Sequence, residues 1–276
     1  MTERLLPVVL EIAKAAAALI QTVYATAFEV DFKAPRDPVT EADRRANELI
    51  CARLREAFPG IPVVAEESDP STFADYRQAE RAFFVDPLDG TREFVKRNGE
   101  FVVMIGLLDR GRPTHGVIHA PATGTSWLGE LGGDVRRLDA DGNEAPLRVS
   151  ETAALADARV LSTRSHRSPA LERALAALGA RRLDALGSAG LKCVEVACGA
   201  ADAYVAPARA GSRWDVCAGE AIVHAAGGRF TDAHGDPIDY RSESLVNERG
   251  IVASNGRLHA EILARLAAAR AREGEG

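Results

Sequence analysis

An α/β fold of two layered halves is predicted from three features of the sequence. Apolar residues recur at helical spacing near both ends and after Thr40, short apolar runs bounded by turn residues fill the first half, and strand-like and helix-like stretches alternate from about Arg159. Helices covering a mostly antiparallel sheet in residues 1–150, followed by an α/β layer in residues 151–276, accommodate all three. The 276 residues amount to about two lobes of roughly 150 residues, long enough for a sizeable core, and residues 151–157 are the linker candidate.

Leu5, Val9, Ile12, Ala16, Leu19, Ile20 and Val23 predict an amphipathic helix from residue 2 to about 27. A second helix follows Thr40, with Ala46, Leu49, Ile50 and Leu54 on one face, and Pro59-Gly60 stops it. Residues 61–65, 82–85, 101–108 and 116–120 read as strands, and Asp141-Gly142 as a hairpin turn closing the first half. Beyond it, strands are predicted near 159–162 and 203–205. Helices are predicted over 168–178, after Ser188, over 215–226 and from 257 to about 269. Gly227-Gly228 supplies the left-handed residue expected past the end of the 215–226 helix.

Composition narrows the function classes. Hydrophobic residues at 46% and charged residues at 27% exclude a disordered or fibrous chain. A net charge of −6 removes the general electrostatic footprint of a nucleic-acid polymer binder, so an anionic ligand needs local positive potential. The N-terminus lacks a basic start followed by an apolar block, and no 18-residue uncharged apolar run occurs, so neither a signal peptide nor a membrane partner is expected. Cys51, Cys193, Cys198 and Cys217 form no CxxC pair and no zinc spacing, which predicts reduced thiols in a cytoplasmic protein.

The densest chemistry lies in Asp86-Pro87-Leu88-Asp89-Gly90-Thr91, directly behind an apolar strand. Proline ends strand pairing and fixes its own backbone angle, so two carboxylates three residues apart turn toward one point with the Leu88 carbonyl between them. That donor set suits a hard cation. Gly90 lets the backbone approach a ligand, and Thr91 opens a helical stretch whose N–H groups favour a phosphate. The same residues also make an ordinary Asp-capped turn. Glu66-Glu67 ends a second strand and Asp215 begins a helix; each alone reads as a solvated loop or a cap. Asp43 closes a capping box with Thr40. His166 sits in a polar loop, and Arg92, Lys96 and Arg97 form a charged run that offers positive potential near an anion.

Taken in order, Asp37-Pro38-Val39-Thr40-Glu41-Ala42-Asp43, Ala65-Glu66-Glu67-Ser68, the motif from 86 to 91 and Trp214-Asp215-Val216-Cys217-Ala218-Gly219 resemble the inositol monophosphatase superfamily of magnesium-dependent, lithium-sensitive phosphatases. The resemblance spans nearly the whole chain. It implies a layered αβαβα sandwich of the inositol monophosphatase/fructose-1,6-bisphosphatase type, a metal site between the halves and a homodimer. It also implies that Glu66, Asp86, Asp89, Asp215 and the Leu88 carbonyl hold Mg2+, with Asp86 bridging two ions. Thr91 and Asp43 then act on the attacking water with Glu66 in support, and the Gly90 and Thr91 amides hold phosphate oxygens. Two carboxylates about 4 Å apart repel by roughly 4 kcal/mol at an effective dielectric near 20, so four converging acids call for divalent cations.

Within the superfamily, Glu93-Phe94-Val95-Lys96-Arg97-Asn98-Gly99-Glu100-Phe101 and Ser162-Thr163-Arg164-Ser165-His166 are similar to the bacterial 3'(2'),5'-bisphosphate nucleotidase branch. That likeness implies substrate contacts at His166, Ser188 and Lys192 and hydrolysis of the 3'-phosphate of 3'-phosphoadenosine 5'-phosphate to AMP and phosphate. Inositol phosphatases commonly carry a Glu seven residues before the Trp-Asp acid, where this chain has Ala208. Gly187-Ser188-Ala189-Gly190-Leu191-Lys192 departs from the Ser-rich nucleotidase version, and Ala65 replaces the usual Gly before the paired glutamates. An inositol-1-phosphate or other polyol phosphate phosphatase is the alternative, and a non-catalytic phosphate- or metal-binding module is the alternative of another class.

Overall fold

Strands buried on both faces read in sequence as continuous apolar runs, because neighbouring side chains point to opposite layers. The computed structural model, which describes residues 5–34, 37–73, 75–165 and 167–274, resolves those runs into two sheets between three helical layers. The chain order is α1 (Leu5–Tyr24), β1 (Val30–Ala34), β2 (Asp37–Thr40), α2 (Glu41–Ala57), β3 (Val63–Ala65), β4 (Arg81–Asp89), α3 (Thr91–Val95), β5 (Val102–Asp109), β6 (Arg112–Ala120) and β7 (Thr125–Glu130). There follow β8 (Val135–Leu138), β9 (Glu144–Pro146), β10 (Arg159–Thr163), α4 (Pro169–Leu178), β11 (Arg182–Leu186), α5 (Ala189–Ala197), β12 (Ala203–Ala206), α6 (Trp214–Ala225), β13 (Arg229–Thr231), β14 (Ile251–Ser254) and α7 (His259–Gly274).

The first sheet runs β3-β4-β5-β6-β7-β8-β9 and is antiparallel except for the parallel pair β3–β4. The second runs β11-β10-β12-β14-β13, with β10 parallel to β11 and β12 and the other pairs antiparallel. Side chains alternate accordingly. Phe83 and Val85 pack with α1 and α2, whereas Phe84 faces the middle layer. Leu161 and Tyr204 face α5 and α6 from the second sheet, whereas Val160, Ala203 and Val205 pack on α4 and α7. The layers are therefore α1/α2, sheet, α5/α6, sheet, α4/α7, an αβαβα sandwich.

Helix α1 is twenty residues long and apolar enough by composition to cross a bilayer, but its Val9, Ala13, Ala16 and Ile20 side chains are buried against α2 and the first sheet. Helix α6 lies closer to the sheet than ordinary side chains permit. Gly106, Gly116 and Gly129 stand opposite one another across β5, β6 and β7. A Cβ on Gly116 would come within 2.3 Å of the Ala218 carbonyl, and one on Gly106 within 2.6 Å of the Ala218 nitrogen. This glycine stripe seats the helix that carries Asp215.

The predicted helices all form among the described residues, with residues 2–4 of the first lying outside them and the other ends shifted by up to five residues, and Gly227 takes the left-handed conformation at φ 88° past the end of α6. The hairpin read at Asp141-Gly142 forms and joins β8 to β9, although the extent of those strands, and strands β1, β2, β7, β11, β13 and β14, were not legible in the sequence. Pro87 does not end its strand as expected: β4 continues to Asp89, with Pro87 and Leu88 opposing Val103 in a bulge. Proline removes a ladder donor, and a bulge accommodates that loss while re-aiming the flanking side chains. Residues 151–157, expected as a linker, are tied down. Asn255 donates to Ser150 Oγ at 3.0 Å and to the Thr152 carbonyl at 2.8 Å, and Leu155 is buried in a short 3-10 turn.

Two buried histidines set the acid limit of this packing. His259 bonds Thr231 Oγ1 through Nε2 and Ser254 Oγ through Nδ1, and His119 Nδ1 lies 2.8 Å from Ser126 Oγ. Burial lowers the pKa of each from 6.5 to about 4. Between those values the unfolded chain binds more protons at these two sites than the native one, so the histidine contribution is complete above pH 6.5 and is lost as pH drops toward 4, against the opposite trend of the buried carboxyls whose pKa values are raised. Thermal melts of the parent and His259→Gln are expected to diverge across this window, the variant losing less stability than the parent between pH 6.5 and 4. An unchanged slope would remove His259 from the acid response.

Candidate active site

The parallel register of β3 and β4 pairs Ala65 with Val85, which sets the next residues side by side, Glu66 just past the end of β3 and Asp86 within β4 where its bulge begins. The Glu66 amide bonds the Val85 carbonyl at 3.1 Å and continues that alignment. Asp215 arrives from the opposite direction on the first turn of α6. Glu66, Asp86 and Asp215 each direct a carboxylate oxygen into one space, all within 4.8 Å of one another. Gly211, at φ 60°, admits Asp215: a Cβ there would lie 1.9 Å from Asp215 Oδ2. The Ser212 amide donates to that oxygen at 2.7 Å.

This convergence is electrostatically costly. Burial, then the Glu66, Asp89 and Asp215 charges, hold the Asp86 carboxyl well above the usual range; burial, then Glu66 and Asp89, do the same to Asp215. Burial also pushes Glu66 up to about 7, with Lys33 opposing and Glu67 adding to the shift. Carboxylate oxygens that crowd at this depth form the hard, all-oxygen donor set that a divalent cation fits.

Asp89 stands at the edge of the cluster. Its Oδ2 accepts from Ser188 Oγ at 2.5 Å and from the Gly190 amide at 2.7 Å, at the start of α5. The Leu88 carbonyl lies 3.2 Å from Thr91 Oγ1, and the Leu88 amide donates to Asp86 Oδ1 at 2.9 Å. Gly90 adopts φ 99°, and a Cβ there would meet the Glu100 carbonyl at 2.6 Å. Glycine is thus required at this position by the chain's own backbone.

Asp43 performs the capping role and a second one together. Its Oδ2 accepts from the Thr40 amide at 2.8 Å and the Thr40 hydroxyl at 2.6 Å, completing the capping box of α2. Its Oδ1 accepts from Thr91 Oγ1 at 2.9 Å. Burial raises the Asp43 pKa, and the hydrogen bonds from Thr40 and Thr91 oppose the rise. A buried carboxylate held through one oxygen and bonded to a hydroxyl through the other has a fixed orientation and can accept a proton from that hydroxyl.

Lys33 is the site residue that sequence reasoning missed. From β1 its ammonium lies 2.7 Å from both Glu66 Oε1 and Glu67 Oε1. Burial would lower its pKa, but the two carboxylates outweigh that and raise it. Strand β1 alternates apolar and polar residues over Val30–Ala34, but it is mostly exposed and pairs only with β2, and that alternation carries no hint of the two glutamates its lysine meets. His166 lies outside the described residues. Its neighbour Ser165 is anchored to α3, with Oγ on Glu93 at 2.5 Å and its carbonyl on Arg92 at 2.8 Å. Arg97, expected to lend positive potential, instead donates to the Tyr24 and Thr26 carbonyls and stacks on Tyr24 and Phe28. Nor does Lys192 offer a free ammonium: it is buried, and its donors meet the carbonyls of Leu186, Gly187 and Ser188.

The family model of the inositol monophosphatase family matches residues 1–272. The chain belongs to that family. Among its relatives, the 3'(2'),5'-bisphosphate nucleotidase CysQ of Escherichia coli strain K12 is 37% identical over 255 residues, covering 87% of this chain and 95% of that protein. Two solved structures of the inositol monophosphatase family share the fold. CysQ from Bacteroides thetaiotaomicron has a TM-score of 0.76 at 30% identity, covering 90% of this chain and 96% of that one. The inositol monophosphatase from Anabaena has a TM-score of 0.79 at 28% identity, covering 96% of each chain. By its place in the inositol monophosphatase family the chain is a phosphoric monoester hydrolase.

Without a cation, the acid cluster should weaken the fold. In EDTA, Asp86→Asn is expected to melt higher than the parent, by roughly 2–4 °C for each kcal/mol of repulsion relieved. Excess divalent cation should raise the parent's melting temperature and leave the variant's nearly unchanged. A cation response equal in both proteins would take Asp86 out of the binding set.

Proposed function

We propose that this chain is a Mg2+-dependent phosphatase that hydrolyses the 3'-phosphate of 3'-phosphoadenosine 5'-phosphate, consuming water and giving AMP and inorganic phosphate. The observation that carries the reading is the meeting of Glu66, Asp86 and Asp215 within 4.8 Å, beside a Thr91–Asp43 hydrogen bond of 2.9 Å. In this reading Glu66, Asp86, Asp89, Asp215 and the Leu88 carbonyl hold the ions. When bound, Mg2+ supplies Lewis acidity to water and to the leaving oxygen. The half comprising residues 1–150 then contributes most of the cation site, and residues 151–276 contribute Asp215 and substrate recognition.

The protein's own residues handle the proton. Thr91 donates its hydroxyl hydrogen to Asp43, which leaves the Thr91 oxygen lone pairs to accept a hydrogen bond from the attacking water. Thr40 fixes the far oxygen of Asp43, so the acceptor is oriented before substrate arrives. Glu66 supports the same water. The Gly90 and Thr91 amides hold oxygens of the scissile phosphate, and His166 meets the second phosphate of the nucleotide. Ser188 and Lys192 act through Asp89, which Ser188 Oγ meets at 2.5 Å.

The nucleotide is favoured over inositol 1-phosphate by the CysQ relatives and by Ala208, which offers no carboxylate to ring hydroxyls where inositol phosphatases commonly carry Glu. Retention of every acid the chemistry needs favours an enzyme over a binding module. Lithium inhibition, a homodimer and a cytoplasmic setting belong to the same reading.

The substrate is tested by comparing kcat/KM for 3'-phosphoadenosine 5'-phosphate, 3'-phosphoadenosine 5'-phosphosulfate, inositol 1-phosphate and fructose 1,6-bisphosphate in one Mg2+ buffer. The first is expected to lead, and preference for inositol 1-phosphate would replace it. Thr91→Ala and Asp43→Asn should each lower kcat by about 10²-fold or more while preserving stabilisation by cation. Near-normal kcat in both variants would dismiss the relay.

A further inference from the structure

Lys192 occupies an unusual place for a cation. It stands on the first turn of α5, where the helix dipole disfavours positive charge, and only 3% of it is exposed. Its Nζ donates to the carbonyls of Leu186 at 3.2 Å, Gly187 at 3.1 Å and Ser188 at 2.6 Å, and lies 4.9 Å from the centre of the Tyr204 ring. An ammonium has three donors and no acceptor, so this set is complete.

The three carbonyls belong to consecutive residues of the β11–α5 turn. That same turn delivers Ser188 Oγ and the Gly190 amide to Asp89 Oδ2, and the Gly187 amide to Glu100 Oε2 at 2.8 Å. Ser188 also caps α5 by accepting from the Leu191 amide, and does so at φ 50°, a conformation uncommon outside glycine. A turn in that conformation persists where its surroundings hold it.

We propose that Lys192 is a positioning residue rather than a phosphate ligand: its ammonium gathers the 186–188 carbonyls and thereby fixes Ser188 and Gly190 on Asp89, setting the orientation in which that carboxylate enters the cation site. The inference rests on the reading of Asp89 as a Mg2+ ligand.

The two roles separate experimentally. Mn2+ is titrated calorimetrically into the parent, Lys192→Met, Lys192→Gln, Ser188→Gly and the Lys192→Met/Ser188→Gly double variant, and inhibition by inorganic phosphate is measured at saturating Mn2+. Lys192→Met, of similar length, is expected to weaken Mn2+ binding about 10-fold, the scale of losing a group that orients a ligand. Phosphate inhibition should stay unchanged. Lys192→Gln, which retains two donors, should recover part of the loss. Ser188→Gly should weaken Mn2+ in the same direction, and the double variant should be less impaired than the sum of the singles, because both act through one turn.

Parental Mn2+ affinity in Lys192→Met, with weakened phosphate inhibition, would return Lys192 to the substrate and overturn the proposal. So would strict additivity in the double variant, or Gln and Met behaving alike. If Lys192→Met does not fold, Lys192→Gln and Ser188→Gly carry the same comparison. Failure of the parent itself to take up Mn2+ would overturn the cation reading, and this inference with it.

Discussion

Carboxylates brought together in a protein interior repel one another, and the fold must hold them against that force until a cation arrives. Here the restraint is covalent and topological. Glu66 and Asp86 directly follow the last parallel pair of β3 and β4, Ala65 with Val85, and that register holds them side by side. Asp215 is held by the Ser212 amide and by the first turn of α6. Arg213 reinforces that turn from behind: its Nε donates to the Asp239 carbonyl and its guanidinium meets Asn247, which in turn bonds the Ala210 and Ser212 carbonyls. Lys33 offsets part of the charge from the solvent side.

The same logic explains why so many of the site's polar groups serve the protein rather than a ligand. Ser188 and Gly190 orient Asp89, Thr40 orients Asp43, and Glu93 anchors Ser165. A catalytic geometry tolerates little slack, so each carboxylate near the cluster has at least one oxygen engaged by a backbone or side-chain donor. Glycines at 90 and 211 make room for these contacts, the first against a neighbouring carbonyl and the second against a carboxylate.

Much of this was legible in the sequence, though unevenly. The helices announced themselves because α1, α2 and α5 bury one stripe each, and the central strands because both of their faces are covered. The outer strands β8, β9 and β11 are partly or wholly exposed and carry charges, so they gave no apolar pattern. The acids stood out through the order of their motifs, and the capping box of Asp43 was readable without revealing its bond to Thr91. Two things had no local signal. Lys33 reaches the cluster through a tertiary contact over thirty-three residues, and the glycines at 106, 116 and 129 look isolated until the sheet aligns them.

That alignment constrains how the molecule moves. With α6 lodged directly on the backbone of one sheet and α5 beside it facing the other, the middle layer is an apolar seam shared by both halves. Rocking the halves apart like a clamshell would expose that seam to water, a penalty that large hydrophobic interfaces resist. The two halves are therefore expected to keep their relative placement rather than to swing about a hinge between lobes.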